Sequence, residues 1–139
     1  KVVSLRAMDS SLEEATPGGL IGVGTSLDPA LTKSDALVGS VVGFHHSLPE
    51  VTNQVEVEVN LLERVVGLEK EVEVKPLSVH EPIMLSVGTA ARVGVVTHLQ
   101  GNRIRVSLKY PACIDQGWRA AISRRIANRW RLIGYGTIQ

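Results

Sequence analysis

Two stretches of strict apolar–polar alternation constrain this chain more than anything else in it. Val55, Val57, Val59 and Leu61 share one face while Glu56, Glu58 and Asn60 share the other. Ile104, Val106, Leu108 and Tyr110 likewise lie opposite Arg103, Arg105, Ser107 and Lys109. A period of two sustained this long predicts half-buried strands, because successive side chains in extended backbone point to opposite faces. Gln100-Gly101-Asn102 separates the runs 92–99 and 103–110 and predicts a hairpin between them. Further strands are expected at Val2–Ala7, Gly19–Thr25, Leu37–Phe44, Val72–Leu77, Ile83–Val87, Arg119–Ile126 and Trp130–Ile138. Ser34–Val38 or Leu61–Val66 is expected to form at most a helical turn. Short strands at this spacing, with no helices between them, define an all-β barrel or sandwich.

Composition supports that class. Apolar residues reach 44% but aromatics only 4%, so the core must be built from Val, Ile and Leu, types that suit pleated strands. Around Gly43-Phe44-His45-His46-Ser47-Leu48-Pro49 the alternation stops, and a linker is expected there. The segment 49–139 has about six strands, enough to close a barrel, whereas 1–48 has about three, too few to be stable alone.

Several chemistries are disfavoured by the residues. One cysteine, Cys113, allows neither an internal disulfide nor a cysteine zinc site. His45 and His46 are adjacent and cannot form a ligand pair one helical turn apart. No glycine is followed by lysine, so no phosphate loop of the nucleotide-hydrolase type is present. No apolar run approaches the ~20 residues of a membrane helix, and Lys1–Asp9 lacks a signal peptide's apolar stretch. The expectation is a soluble, cytoplasmic protein with no membrane partner.

Charge is divided along the chain. Residues 1–91 carry six Lys/Arg against thirteen Asp/Glu, a balance of −7, and residues 92–139 carry nine against one, a balance of +8. A basic end of this kind points to a polyanionic partner, RNA foremost. Arg119, Arg124, Arg125, Arg129 and Arg131 interleave with Trp118 and Trp130, a pairing suited to phosphate contact and base stacking. The same residues also fit a barrel anchored by tryptophan with solvated arginines outside. The Gly-rich run Pro17-Gly18-Gly19-Leu20-Ile21-Gly22-Val23-Gly24-Thr25 fits a turn entering a strand, or close approach of backbone to a ligand.

These segments together resemble a known family. Leu12-Glu13-Glu14-Ala15, the Gly-rich run, Leu27-Asp28-Pro29 with Leu31-Thr32-Lys33, and Asn60-Leu61-Leu62-Glu63-Arg64-Val65-Val66-Gly67 are similar to the gamma subunit of archaeal and eukaryotic translation initiation factor two. So are Ile122-Ser123-Arg124-Arg125 and Arg129-Trp130-Arg131-Leu132-Ile133-Gly134-Tyr135-Gly136. The resemblance covers essentially the whole chain. That family is built like elongation factor Tu, a GTP-binding domain followed by two β-barrels. It implies that residues 1–48 are the last strands of the domain II barrel and 49–139 a complete domain III barrel. GTP and magnesium would then belong to a GTPase domain outside this chain, which alone would be no enzyme, with no catalytic residue, metal or cofactor of its own.

The resemblance also implies partners: methionylated initiator tRNA, the small ribosomal subunit, the alpha subunit through domain II, and the beta subunit only through the GTPase domain. By the elongation-factor pattern, Ser4 and Arg6 fall near the strand holding the terminal adenosine, and Gly18, Gly19, Leu20 and Gly22 near the aminoacyl group. Lys33 falls where a basic residue meets the 5′ phosphate. Leu20 departs from the pattern, standing where the elongation factor carries a polar side chain. Arg119, Arg124, Arg125, Arg129 and Arg131 are the expected contacts to ribosomal RNA or the tRNA body. The alternatives are a stand-alone ribosome- or RNA-binding β-barrel of the same descent, or part of another elongation-factor-like enzyme.

Overall fold

The computed structural model describes residues 1–16, 18–44 and 46–139, so Pro17 and His45, named above in the Gly-rich run and the linker, lie outside the described residues. The chain divides into two compact units, Lys1–Leu37 and Val38–Gln139.

The first unit is a small antiparallel sheet. Strands β1 (Val2–Ala7), β2 (Ser10–Leu12) and β3 (Gly22–Thr25) lie in the order β2-β1-β3. β2 was not foreseen, and β3 is shorter than the run that predicts it because Gly18 and Gly19 take positive φ and keep the entry irregular. The helical turn falls at Pro29–Asp35, a 3-10 segment capped by the Asp28 carboxylate, which accepts from the Ala30 N–H at 2.8 Å. Of the two segments expected to hold a helical turn, Ser34–Val38 overlaps the end of this one at Ser34 and Asp35, and Leu61–Val66 lies outside it. Proline at the first turn and an Asp cap are local signals that outweigh the apolar pattern there. None of this unit's described residues is buried.

The second unit is a closed six-stranded antiparallel barrel. Strands β4 (Val51–Leu61), β5 (Pro82–Val87), β6 (Ala90–Gln100), β7 (Arg103–Cys113), β8 (Arg119–Ile126) and β9 (Arg129–Ile138) close in the order β4-β7-β6-β5-β8-β9. The all-β class and the six-strand barrel follow the alternation. Val55, Val57 and Val59 point inward with Ile83, Leu85, Val96, Ile104, Val106, Leu108, Ile122 and Ile133. Each such side chain contributes about 1.5–3 kcal/mol on burial. The predicted hairpin is present, with Gln100 opposite Arg103 and Gly101 at φ +59.

Closure depends on irregularities that period two does not show. The β4–β7 register shifts between Thr52 and Gln54, the β6–β7 register between Val96 and His98, and the β8–β9 register between Ile122 and Ser123. Such bulges bend and twist strands enough for the ends of a sheet to meet. Opposite the first of them β7 bows outward, so Tyr110 is 63% exposed although it is in phase with the buried Leu108 and Ala112. At the closing seam between β4 and β9, Gly136 faces Val59, and a methyl there would meet the Glu58 carbonyl oxygen and Val57 Cγ1 at 2.5 Å.

Two expected strands are not strands. In 37–44, Gly39 has φ +82 and is buried where a Cβ would stand 2.8 Å from Ala90 Cα, so the chain turns instead of extending. In 72–77, Val74 and Leu77 are buried but only an isolated bridge, Arg64 with Glu73, joins the segment to a neighbour. The carbonyls of Lys75 and Pro76 are taken by Arg124 rather than by a ladder.

Candidate nucleic-acid interface

In the first unit Ser4 and Arg6 lie two apart on β1, and both are exposed. Ser4 pairs with Gly24 and Arg6 with Gly22. Gly24 leaves room for the Ser4 hydroxyl, which a Cβ at that position would strike. Gly24 thus supports Ser4, a dependence that appears only once the register is known. At Gly22 an added Cβ would meet only ordinary contacts at 3.7 Å or more. Gly18 and Gly19 have φ +123 and +70 with open space beside them, so backbone conformation, rather than crowding by this chain, calls for glycine there. With Leu20, which is 91% exposed, they border a pocket of about 550 Å³ whose other walls include Met8, Leu12 and Ile21. Lys33 is exposed, in extended backbone between the two halves of the 3-10 segment. The pocket brings together Gly18, Gly19 and Leu20, but not Ser4, Arg6, Gly22 or Lys33.

In the barrel the five arginines fall into three situations. Arg119, Arg125 and Arg129 are exposed, and none of them makes an ion pair among the described residues. The β8–β9 hairpin presents two of them. Ala127 and Asn128 form its two-residue turn with φ +47 and +63, which places Arg129 opposite Ile126 and Arg125 opposite Trp130. Positive φ at both turn residues matches the right-handed twist of the flanking strands.

Arg124 is different. Its Nε donates to Glu81 Oε1 at 2.5 Å and its Nη2 to Glu81 Oε2 at 3.2 Å. Nη1 donates to the Lys75 carbonyl at 2.9 Å and Nη2 also to the Pro76 carbonyl at 3.1 Å. The two side chains are only 17% and 15% exposed. This guanidinium ties the 75–81 segment to β8. Arg131 is half-buried, and its Nε has no hydrogen-bond partner.

The tryptophans are half-buried, and Trp118 packs against the barrel core. Elsewhere the basic end is partly neutralised. Arg105 forms a hydrogen-bonded ion pair with Glu56, and Glu58 accepts from Asn102 and Gln139. The Arg105 hydrogen bond and then its charge hold the Glu56 carboxyl below the ordinary carboxylate range, with lesser help from Arg103 and His98. Of the nine basic residues after Ala91, Arg105 and Arg124 are in ion pairs, while Arg119, Arg125, Arg129 and Arg131 on β8 and β9, and Arg92, Arg103 and Lys109 on β6 and β7, form none among the described residues.

Comparison with known proteins agrees with this architecture. The family model "Initiation factor eIF2 gamma, C terminal" matches residues 53–138, which lie within the barrel unit. The translation initiation factor 2 subunit gamma of Archaeoglobus fulgidus is 55% identical over all 139 residues. Those of Methanocaldococcus jannaschii and Pyrococcus horikoshii are 53% and 52% identical over the same span. These matches include the first unit, which the family model leaves out. The chain covers 33–34% of the length of these relatives. A family model matched along most of the barrel, together with relatives this similar from end to end, shows that the chain belongs to the C-terminal region family of the translation initiation factor two gamma subunit.

Proposed function

We propose that this chain is the tRNA- and ribosome-facing β-barrel region of a gamma subunit that delivers methionylated initiator tRNA to the small ribosomal subunit in the cytoplasm. The observation that carries the reading is end-to-end identity above 50% to gamma subunits. No phosphate loop of the nucleotide-hydrolase type is present, since no glycine precedes a lysine. GTP, magnesium and GTPase chemistry belong to a separate domain in this reading, and the beta subunit docks on that domain.

Residues 49–139 form domain III, and 1–48 are the end of the domain II barrel. Its exposed Ser4 and Arg6, the Gly18–Gly19–Leu20 pocket rim, Gly22 and the Lys33 ammonium receive the aminoacylated acceptor end. A terminal adenosine needs close backbone approach, and a 5′ phosphate needs a cation. The alpha subunit docks on the same domain. On the barrel, Arg119, Arg125, Arg129 and Arg131 meet RNA phosphates, while Arg124 holds the surface that presents them. In a complete gamma subunit, Lys33→Glu should weaken binding of methionylated initiator tRNA. Affinity equal to that of the unaltered protein would remove Lys33 from the site.

A further inference from the structure

Arg131 stands apart from the barrel's other half-buried charged side chains, Glu58, Glu81, Arg92 and Arg124, each of which has hydrogen-bond partners. Its Nε is the one buried side-chain nitrogen or oxygen among the described residues that has no hydrogen-bond partner. No ion pair among those residues reaches its guanidinium. Arg124 stands directly opposite on β8, but Glu81 neutralises that charge. Glu71, close in sequence to the loop that Arg131 faces, is committed to Arg64.

That loop is shaped around the guanidinium. Val66 N–H donates to the Leu132 carbonyl at 3.1 Å, which holds the loop against β9. Gly67 follows at φ +83, and a Cβ there would stand 2.8 Å from Arg131 Nη1. The positive φ favours glycine there, and a side chain would push the guanidinium aside. Gly67, Leu68, Glu69, Lys70, Val72 and Arg131 then line an open pocket of about 480 Å³. Two cations border it, and its single acid, Glu69, is paired with neither.

A half-buried guanidinium without a counter-charge is unfavourable, and a second cation beside it makes it more so. An anion with several acceptor oxygens relieves both. Arginine's planar fork of donors matches a phosphate, and lysine adds a point charge.

We infer that this pocket binds a phosphoryl oxyanion, held by the Arg131 guanidinium and the Lys70 ammonium over the Gly67 turn. The phosphoryl group is either an RNA backbone phosphate, which deepens the RNA reading above, or free phosphate. The test is a titration of the isotope-labelled 139-residue chain with inorganic phosphate, ionic strength held constant with chloride, followed by NMR. Saturable shifts at the Gly67 and Lys70 amides and the Arg131 Nε–H are expected. Arg131→Gln should weaken binding about tenfold or more. Lys70→Gln, at an exposed side chain that does not endanger folding, should weaken it severalfold, and Glu69→Gln should strengthen it. Arg103→Gln on β7, which removes one positive charge elsewhere, should change nothing. Shifts that never saturate, or an equal loss in Arg103→Gln, would overturn the site.

A short RNA duplex then separates the two sources. If it displaces phosphate from the Gly67 turn, the group is a backbone phosphate. If it binds the chain and leaves the phosphate shifts intact, the site takes free phosphate. Saturable phosphate without any RNA binding would sink the RNA reading and leave the pocket standing, and RNA binding without saturable phosphate would do the reverse.

Discussion

Arg124 and Arg125 are adjacent arginines with opposite expected behaviour. Replacing either by alanine removes one positive charge from β8. Arg124→Ala also strips Glu81 of its bidentate partner and frees the Lys75 and Pro76 carbonyls. Breaking a buried ion pair costs about 3–5 kcal/mol. The remaining exposure here, 17% and 15%, and the Ser78 N–H that still reaches Glu81 at 3.0 Å, lower that to roughly 2–4 kcal/mol. For a domain of this size each kcal/mol moves the melting temperature by about 4–8 °C, so a fall on the order of 10–20 °C is expected. Arg125 is exposed and opposes Trp130, and Arg125→Ala should stay within about 0.5 kcal/mol of the unaltered chain.

Affinity for RNA should show the reverse order. Each phosphate neutralised contributes about −0.9 to the log–log salt slope on duplex DNA, taken as a guide for RNA. Arg125→Ala should reduce the slope by about one contact. Arg124→Ala, measured at a temperature where it is folded, should leave it unchanged. Urea unfolding read by Trp118 and Trp130 fluorescence gives the first quantity, and titration of a short RNA duplex at several salt concentrations the second. The reasoning fails if Arg124→Ala costs less than about 1 kcal/mol and lowers the salt slope as Arg125→Ala does, because the guanidinium would then face solvent.

Other outcomes follow from the same geometry. Gly136→Ala presses a methyl to 2.5 Å from the Glu58 carbonyl at the closing seam and should destabilise the barrel by about 2–3 kcal/mol in urea. Gly101→Ala, which has open space, should cost only the ~1 kcal/mol of its positive φ. Ala127→Gly should raise the melting temperature, because alanine at φ +47 is held in a region that costs an L-residue about 1 kcal/mol. Glu56 should titrate by NMR below the ordinary carboxylate value and move up in Arg105→Gln. Since its folded-state pKa is depressed, its contribution is present above the unfolded value and is lost as pH falls through the folded one.

Most of the barrel was legible because burial on one face of a strand writes itself directly as alternation. Val55 to Val59, Ile104 to Leu108 and the Gln100–Arg103 hairpin all lie where periodicity and turn residues place them. The Gly-rich run and the arginine–tryptophan end were visible as candidate sites for the same reason: they are local in the chain. What separates the arginines is not local. Glu81 lies 43 positions from Arg124, and no spacing rule connects them. Only the β5–β8 pairing, which sets Arg124 opposite Ile83, brings the Glu81 carboxylate within reach. Likewise nothing in the neighbours of Gly67 announces Arg131 beneath it, nor do the neighbours of Gly136 announce the β4 backbone. The residues of this chain determine by themselves an all-β barrel of the initiation factor two gamma family with a basic end. Tertiary structure alone decides which of those basic groups is a structural tie, which faces solvent, and which lies half-buried and unmatched, because charge pairing depends on distance across strands and not on order along them.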